Sequence, residues 1–173
     1  SAPVGKDEQK HVQKVTGKFN WYARGVDGTL LTAISALSAQ QAKPTQSTMA
    51  RVKQFLDYAA TQEPAVTTYR ASDMVLAIHS DAGYLNEEGA RSRAGGHHFL
   101  SENVDNPSNN GAIYNEASII KSIMSSAAEA EIGALYINAR KGVEERNILE
   151  EMGHIQPPTP VQTDNSTADS IVN

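Results

Sequence analysis

The stretch Met74-Val75-Leu76-Ala77-Ile78-His79-Ser80-Asp81-Ala82 decides how this chain is read. Its aliphatic and β-branched run predicts a buried strand over 74–79. A carboxylate follows at once, in Ser80-Asp81-Ala82. Open α/β sheets bind ligands outside the carboxyl ends of their strands, which makes Asp81 the first candidate functional residue. A second such end stands further on, where a short strand, Val161-Gln162-Thr163, runs into Asp164-Asn165-Ser166.

Outward from this strand the chain changes period. Ala65-Val66-Thr67-Thr68-Tyr69 is a further β-rich run. Two more strands are predicted over 94–100 and 112–114, separated by the turn-rich loop Asp105-Asn106-Pro107-Ser108-Asn109-Asn110-Gly111. A helix starts near Ser126, passes Glu131, Ile132, Leu135, Ala139 and Val143, and ends at Gly153. Pro157-Pro158-Thr159-Pro160 is a stiff connector, and Asp164-Asn165-Ser166 caps a last helix. This order predicts an α/β fold with a mixed sheet, antiparallel at first and parallel in its continuation, flanked by helices.

The first third reads as helical. Val12, Val15, Phe19 and Tyr22 share a helix face, Gly25-Val26-Asp27-Gly28 interrupts it, and Asp27 caps a second helix with Leu30, Leu31, Ile34 and Leu37. Pro44 breaks the chain before a third helix with Met49, Val52, Phe55, Leu56 and Ala59 inward. Trp21 is expected in the core. The division expected is a helical segment over 1–64 and an α/β domain over 65–173.

Composition excludes several classes. The 173 residues contain no cysteine, which removes disulfides, thiolate metal sites and thiol nucleophiles. No apolar run approaches the roughly 20 residues of a membrane span, and no signal peptide opens the chain, so no membrane partner and an intracellular location are expected. The net charge of −5 argues against a nucleic-acid coat until it is divided. Residues 1–70 carry nine Lys/Arg against five Asp/Glu, and residues 71–173 carry six against fifteen, giving +4 and −9. Phosphate-loop, dinucleotide, zinc-protease and nucleophile-elbow signatures are absent. His97 and His98 are neighbours on a strand and point to opposite faces. The Asn165-Ser166-Thr167 sequon reads as chance.

Asp81, Asp164 and a glutamate from the Ser125-Ser126-Ala127-Ala128-Glu129-Ala130-Glu131 helix start can converge on hard cations, for which oxygen ligands suit Mg²⁺. The same residues also fit structural roles. Asp164 fits a helix cap, Asp81 a turn former, and Ser126-x-x-Glu129 a capping box.

Four blocks in this order carry a resemblance: Ser80-Asp81-Ala82, Arg91-Ser92-Arg93-Ala94-Gly95-Gly96, Ser125 through Glu131, and Thr163-Asp164-Asn165-Ser166-Thr167-Ala168. Together they resemble the ribonuclease H domain of Ty1/copia-type retrotransposon polyproteins. The helical part resembles the reverse-transcriptase tail just upstream, through Val15-Thr16-Gly17-Lys18-Phe19 to Asp27 and through Phe55-Leu56-Asp57-Tyr58. The resemblance implies an RNase H-like fold that cleaves the RNA strand of an RNA–DNA hybrid with two Mg²⁺ (or Mn²⁺) ions. It implies metal-binding and catalytic roles for Asp81 on the first strand, Asp164 after the fourth, and Glu131, with Glu129 as the alternative. Glu131 is favoured because Glu131-Ile132-Gly133-Ala134 matches the pattern that follows the superfamily's catalytic glutamate. Arg91 and Arg93, expected in the turn between the first two strands, become phosphate contacts, and so do lysines of the basic half.

Further expectations come with the resemblance. Its partners are the hybrid and the remainder of the reverse-transcriptase polyprotein, and its location is a cytoplasmic particle or the nucleus. The chain opens at Ser1 without methionine and stops at Asn173 just after Ala168-Asp169-Ser170, which reads as a helix start. This predicts a piece of a longer polypeptide, truncated at its C-terminus. The family's fourth aspartate then lies beyond Asn173, Asp169 does not match it, and an uncovered sheet face invites self-association. The alternative expectation is therefore a catalytically incomplete or domesticated remnant that acts by binding or oligomerisation.

Overall fold

The computed structural model describes residues 2–63, 65–166 and 170. The helix expected after Asp164 falls mostly on residues 167–169 and 171–173, outside the described residues, and so does Asp169. The chain divides into two compact units, Ser1–Val66 and Thr67–Asn173.

In the first unit, α1 (Lys6–Gly25) buries Val12, Val15, Thr16 and Ala23. Asp27 caps a single 3₁₀ turn, Gly28–Leu30, its Oδ1 accepting from the Thr29 amide at 3.0 Å. The turn leads into α2 (Leu31–Gln40), which buries Leu31, Ile34 and Leu37. After Pro44, Thr45 caps α3 (Gln46–Thr61), whose Val52 and Phe55 turn inward. Phe19 and Phe55 meet edge to face at 4.9 Å. Trp21 corrects the sequence expectation, being 74% exposed. Two residues beyond Phe19 lies about 200° around the helix, so α1 cannot bury both rings.

In the second unit a four-stranded sheet runs in the order β3-β2-β1-β4. β1 (Val75–Glu87), β2 (Arg91–Ser101) and β3 (Ala112–Ile119) form an antiparallel meander. The two-residue β4 (Val161–Gln162) pairs parallel to β1. This is the mixed α/β sheet expected from the element order. One face is covered by α4 (Ala127–Glu151), which starts on the Ser126 cap. Its Ala130, Ala134, Asn138, Gly142, Glu145 and Leu149 are buried. Gly142 permits the close approach, since a Cβ there would lie 2.7 Å from Ile78 Cδ1. None of the described helices is long and apolar enough to cross a membrane.

Three strand expectations need correction. The run 65–69 forms no strand; Val66 is 90% exposed. Tyr69 Oη donates to Ala112 O, and the Arg70 amide donates to Asn110 Oδ1. These isolated bonds take the place of a backbone ladder. β1 does not stop at residue 79 but continues to Glu87, because β2 keeps pairing it through Asp81↔Gly95, Ala82↔Ala94 and Gly83↔Arg93. Arg91 and Arg93 consequently belong to β2. The turn lies at residues 88–90, where Gly89 and Ala90 take left-handed φ of 76° and 54°.

A buried polar network fastens α4 to the sheet. His98 is fully buried; its Nδ1 pairs with Glu145 Oε2 at 2.6 Å and its Nε2 with Asn138 Oδ1 at 3.0 Å. Asn138 Nδ2 donates to Ser80 Oγ and Gly95 O. His97 faces the other way, as strand alternation requires. Its Nε2 meets Asn110 O, and its ring lies beside Phe99 and His79.

Candidate metal centre

The site arises where a parallel pair of strands stops pairing. β4 matches β1 only at Ile78↔Val161 and His79↔Gln162, with the Ile78 amide donating to Pro160 O at 3.0 Å. Amides two apart on a strand face the same edge. At Ala82, four residues on, β4 no longer supplies a partner. Glu131 supplies it instead, its Oε1 accepting from the Ala82 amide at 3.2 Å. Glu131 Oε2 accepts from Thr163 Oγ1 at 3.4 Å.

Asp81, on β1, and Asp164, just past β4, complete the cluster. Ligand oxygens of Asp81, Glu131 and Asp164 all lie within 4.8 Å of one another. Glu131 is buried, while both aspartates are exposed, so the cluster opens to solvent on the aspartate side. Asp81 does not occupy a strand end, as its position after residue 79 suggests. It lies inside β1, where burial gives way to exposure.

Burial is the main cause that lifts the Glu131 carboxyl above its ordinary value of 4.5, and the Ala82 amide partly offsets it. The charges of Asp81 and Asp164 raise it further, and the Thr163 hydroxyl lowers it. Three like charges this close favour a bound cation, and an all-oxygen donor set suits a hard one. This triad can hold a metal ion.

The raised value has a testable consequence for stability. A carboxyl whose folded value exceeds its unfolded one favours folding below about 4.5, and that contribution is lost as pH rises through the folded value. In chelator, the parent should therefore lose stability relative to Glu131→Gln as pH climbs from about 4.5. Thermal melts of both proteins across pH check this, and parallel curves would remove Glu131 as the perturbed group.

The alternative glutamate is occupied elsewhere. Glu129 Oε2 accepts from the Ser125 amide at 2.6 Å, and the Glu129 amide donates to Ser126 Oγ at 3.1 Å. It closes the helix start as a capping residue, reaching Ser125 rather than Ser126. Two residues further round α4, Glu131 turns into the gap.

The two arginines part company. Arg91 is exposed at the start of β2. Arg93 has a side chain only 8% exposed; its Nε donates to Glu87 Oε1 and its Nη1 to Ala117 O. It locks the β1–β2 hairpin to β3 and offers no surface to a phosphate.

Two residues that position the site escaped the sequence reading. Gln156 bridges to β1 with its side-chain amide, Oε1 accepting from the Leu76 amide and Nε2 donating to Met74 O. Arg146, on α4, donates to Pro157 O, Thr159 Oγ1 and Gln156 O. Together they hold the proline connector that delivers β4 and Asp164. No local pattern marks either residue, because their partners lie in other elements. Comparison with family models, with curated proteins and with solved structures finds no match to this chain.

Proposed function

We propose that this chain is a metal-dependent nuclease of the ribonuclease H type, hydrolysing the RNA strand of an RNA–DNA hybrid within a Ty1/copia-like polyprotein. The observation that carries the reading is the convergence of Asp81, Glu131 and Asp164 from a strand, a helix and a strand end. An antiparallel meander continued by a parallel strand agrees with an RNase H-like fold. The four sequence blocks supply the substrate class, which the carboxylates alone do not.

The donor set fits Mg²⁺ or Mn²⁺, with Asp81, Glu131 and Asp164 as the ligands and two ions as the expected number. Bound there, such ions supply a nucleophilic water at neutral pH and neutralise charge on the phosphodiester. The chain's own residues do the positioning. The Ala82 amide and the Thr163 hydroxyl fix the Glu131 carboxylate, and the exposed aspartates present theirs on the open side. Arg91 remains available as a phosphate contact.

The test is an end-labelled hybrid incubated with the chain in Mg²⁺, in Mn²⁺ and in chelator. The expected products are RNA fragments with 3′-hydroxyl and 5′-phosphate ends, from divalent-containing reactions only, with the DNA strand intact. An uncut hybrid in both metals, or cutting that survives chelation, would overturn the proposal.

A further inference from the structure

The helical unit carries charge and aromatic surface that the metal centre does not use. Between Gln9 and Val26 the chain holds Lys10, His11, Lys14, Lys18 and Arg24 and no carboxylate. Lys10, Lys14 and Lys18 recur at every fourth position of α1, advancing about 6 Å per step along one side. All three are exposed. None of their side chains makes a hydrogen bond or ion pair among the described residues.

The lysine row leads to a ring. Trp21 stands three residues beyond Lys18, 74% exposed. Beside it is a cavity of about 870 Å³ whose walls include Lys18, Trp21, Tyr22 and Tyr58. A second, of about 340 Å³, shares Tyr58 and Leu30 with the first and reaches Arg51. Tyr58 is itself 51% exposed. The two adjoining cavities form a groove lined by aromatic rings, with Lys18 in the wall of the first and Arg51 in that of the second. Of the acidic residues lining it, Asp27 is bonded to Thr29, which leaves Glu63.

Cations spaced along a helix and followed by exposed rings suit a polyanion whose units have free π-faces. A single-stranded nucleic acid has both, whereas a duplex keeps its base faces stacked inside. An acidic peptide would satisfy the lysines but leave the rings without a flat partner. We infer that the groove bordered by α1 and α3 binds single-stranded nucleic acid, with phosphates on Lys10, Lys14 and Lys18 and bases against Trp21 and Tyr58. The site needs no divalent ion and does not rest on the nuclease reading.

Trp21 is the only tryptophan in the chain, so its fluorescence reports directly on stacking. The full chain is titrated with oligothymidylate in chelator, where cleavage cannot intervene. Quenching is expected, and Trp21→Ala should weaken binding by about 5- to 150-fold in fluorescence anisotropy. Trp21→Phe should restore most of the loss. Combined Lys10→Gln, Lys14→Gln and Lys18→Gln should flatten the log K against log salt slope by about 2.

The inference is overturned by absence of quenching, by equal affinity for a duplex of the same length, or by indifference to Trp21→Ala. Equally tight binding of a polyglutamate peptide would assign the surface to charge alone and overturn it as well.

Discussion

Replacing Asp81 by asparagine is expected to lower the proposed divalent-dependent hybrid cleavage on the order of 10³-fold while making the chelated protein more stable. The two effects share one cause. Asp81 is exposed, so the nearly isosteric change disturbs little packing. It removes one of the three carboxylates that can hold an ion and one of the charges that raise the Glu131 carboxyl. Without metal, relief of repulsion dominates and the melting temperature rises. With metal, the stabilisation from ligand binding shrinks, because affinity for the ion falls. Glu129→Gln serves as the contrast, since Glu129 closes the helix start rather than facing the cluster. Its cleavage rate should stay within a few-fold of the parent, with a stability loss of about 0.5–1 kcal/mol. Equal cleavage by Asp81→Asn and the parent would end the metal-centre assignment, and a collapse of activity in Glu129→Gln would reassign the glutamate.

The largest stability effect is expected from the network under α4. Glu145→Ala should destabilise the protein by about 3–5 kcal/mol in urea denaturation. The reason is that His98 Nδ1 loses its partner inside the core. His98 is fully buried between Glu145 and Asn138. Asn138 uses its Nδ2 on Ser80 Oγ and Gly95 O, which directs its Oδ1 to the ring. Both ring nitrogens therefore face acceptors, and loss of the Glu145 carboxylate strands one of them. The geometry also accounts for glycine at 96, where a Cβ would lie 2.0 Å from Asn138 Oδ1. Replacing both His98 and Glu145 by leucine should recover most of the loss, because neither group is then left unpaired. A single-variant loss below about 1 kcal/mol would mean that water reaches the ring after truncation.

Much of the fold was readable from short-range chemistry. The apolar run at 75–78 marks β1, the three- and four-residue spacings mark the helices of the first unit, and Ser126 with Gly153 bracket α4. The breaks near Asp27 and Pro44 stand where expected. These signals act between residues a turn or a strand apart, within reach of one sequence window. The readings that failed depended on neighbours from elsewhere. β1 runs past Asp81 because β2 pairs with it, and the run at 65–69 stays irregular because no strand does. Trp21 lies outside because Phe19 occupies the inward face.

The same division holds at the candidate metal centre. Sequence alone determined the candidates: two aspartates beside predicted strands and a glutamate pair at a helix start. Only the tertiary structure decided which of them meet. Arg146 and Gln156 hold the connector beside β1, β4 stops after two paired residues, and the unpaired Ala82 amide draws in Glu131 rather than Glu129. It likewise took Arg93 out of the binding surface by pairing it with Glu87. Residue type and local period are properties of a short window. The convergence of carboxylates is a property of where two distant strands part, and that is set by contacts up to 82 residues apart in the chain.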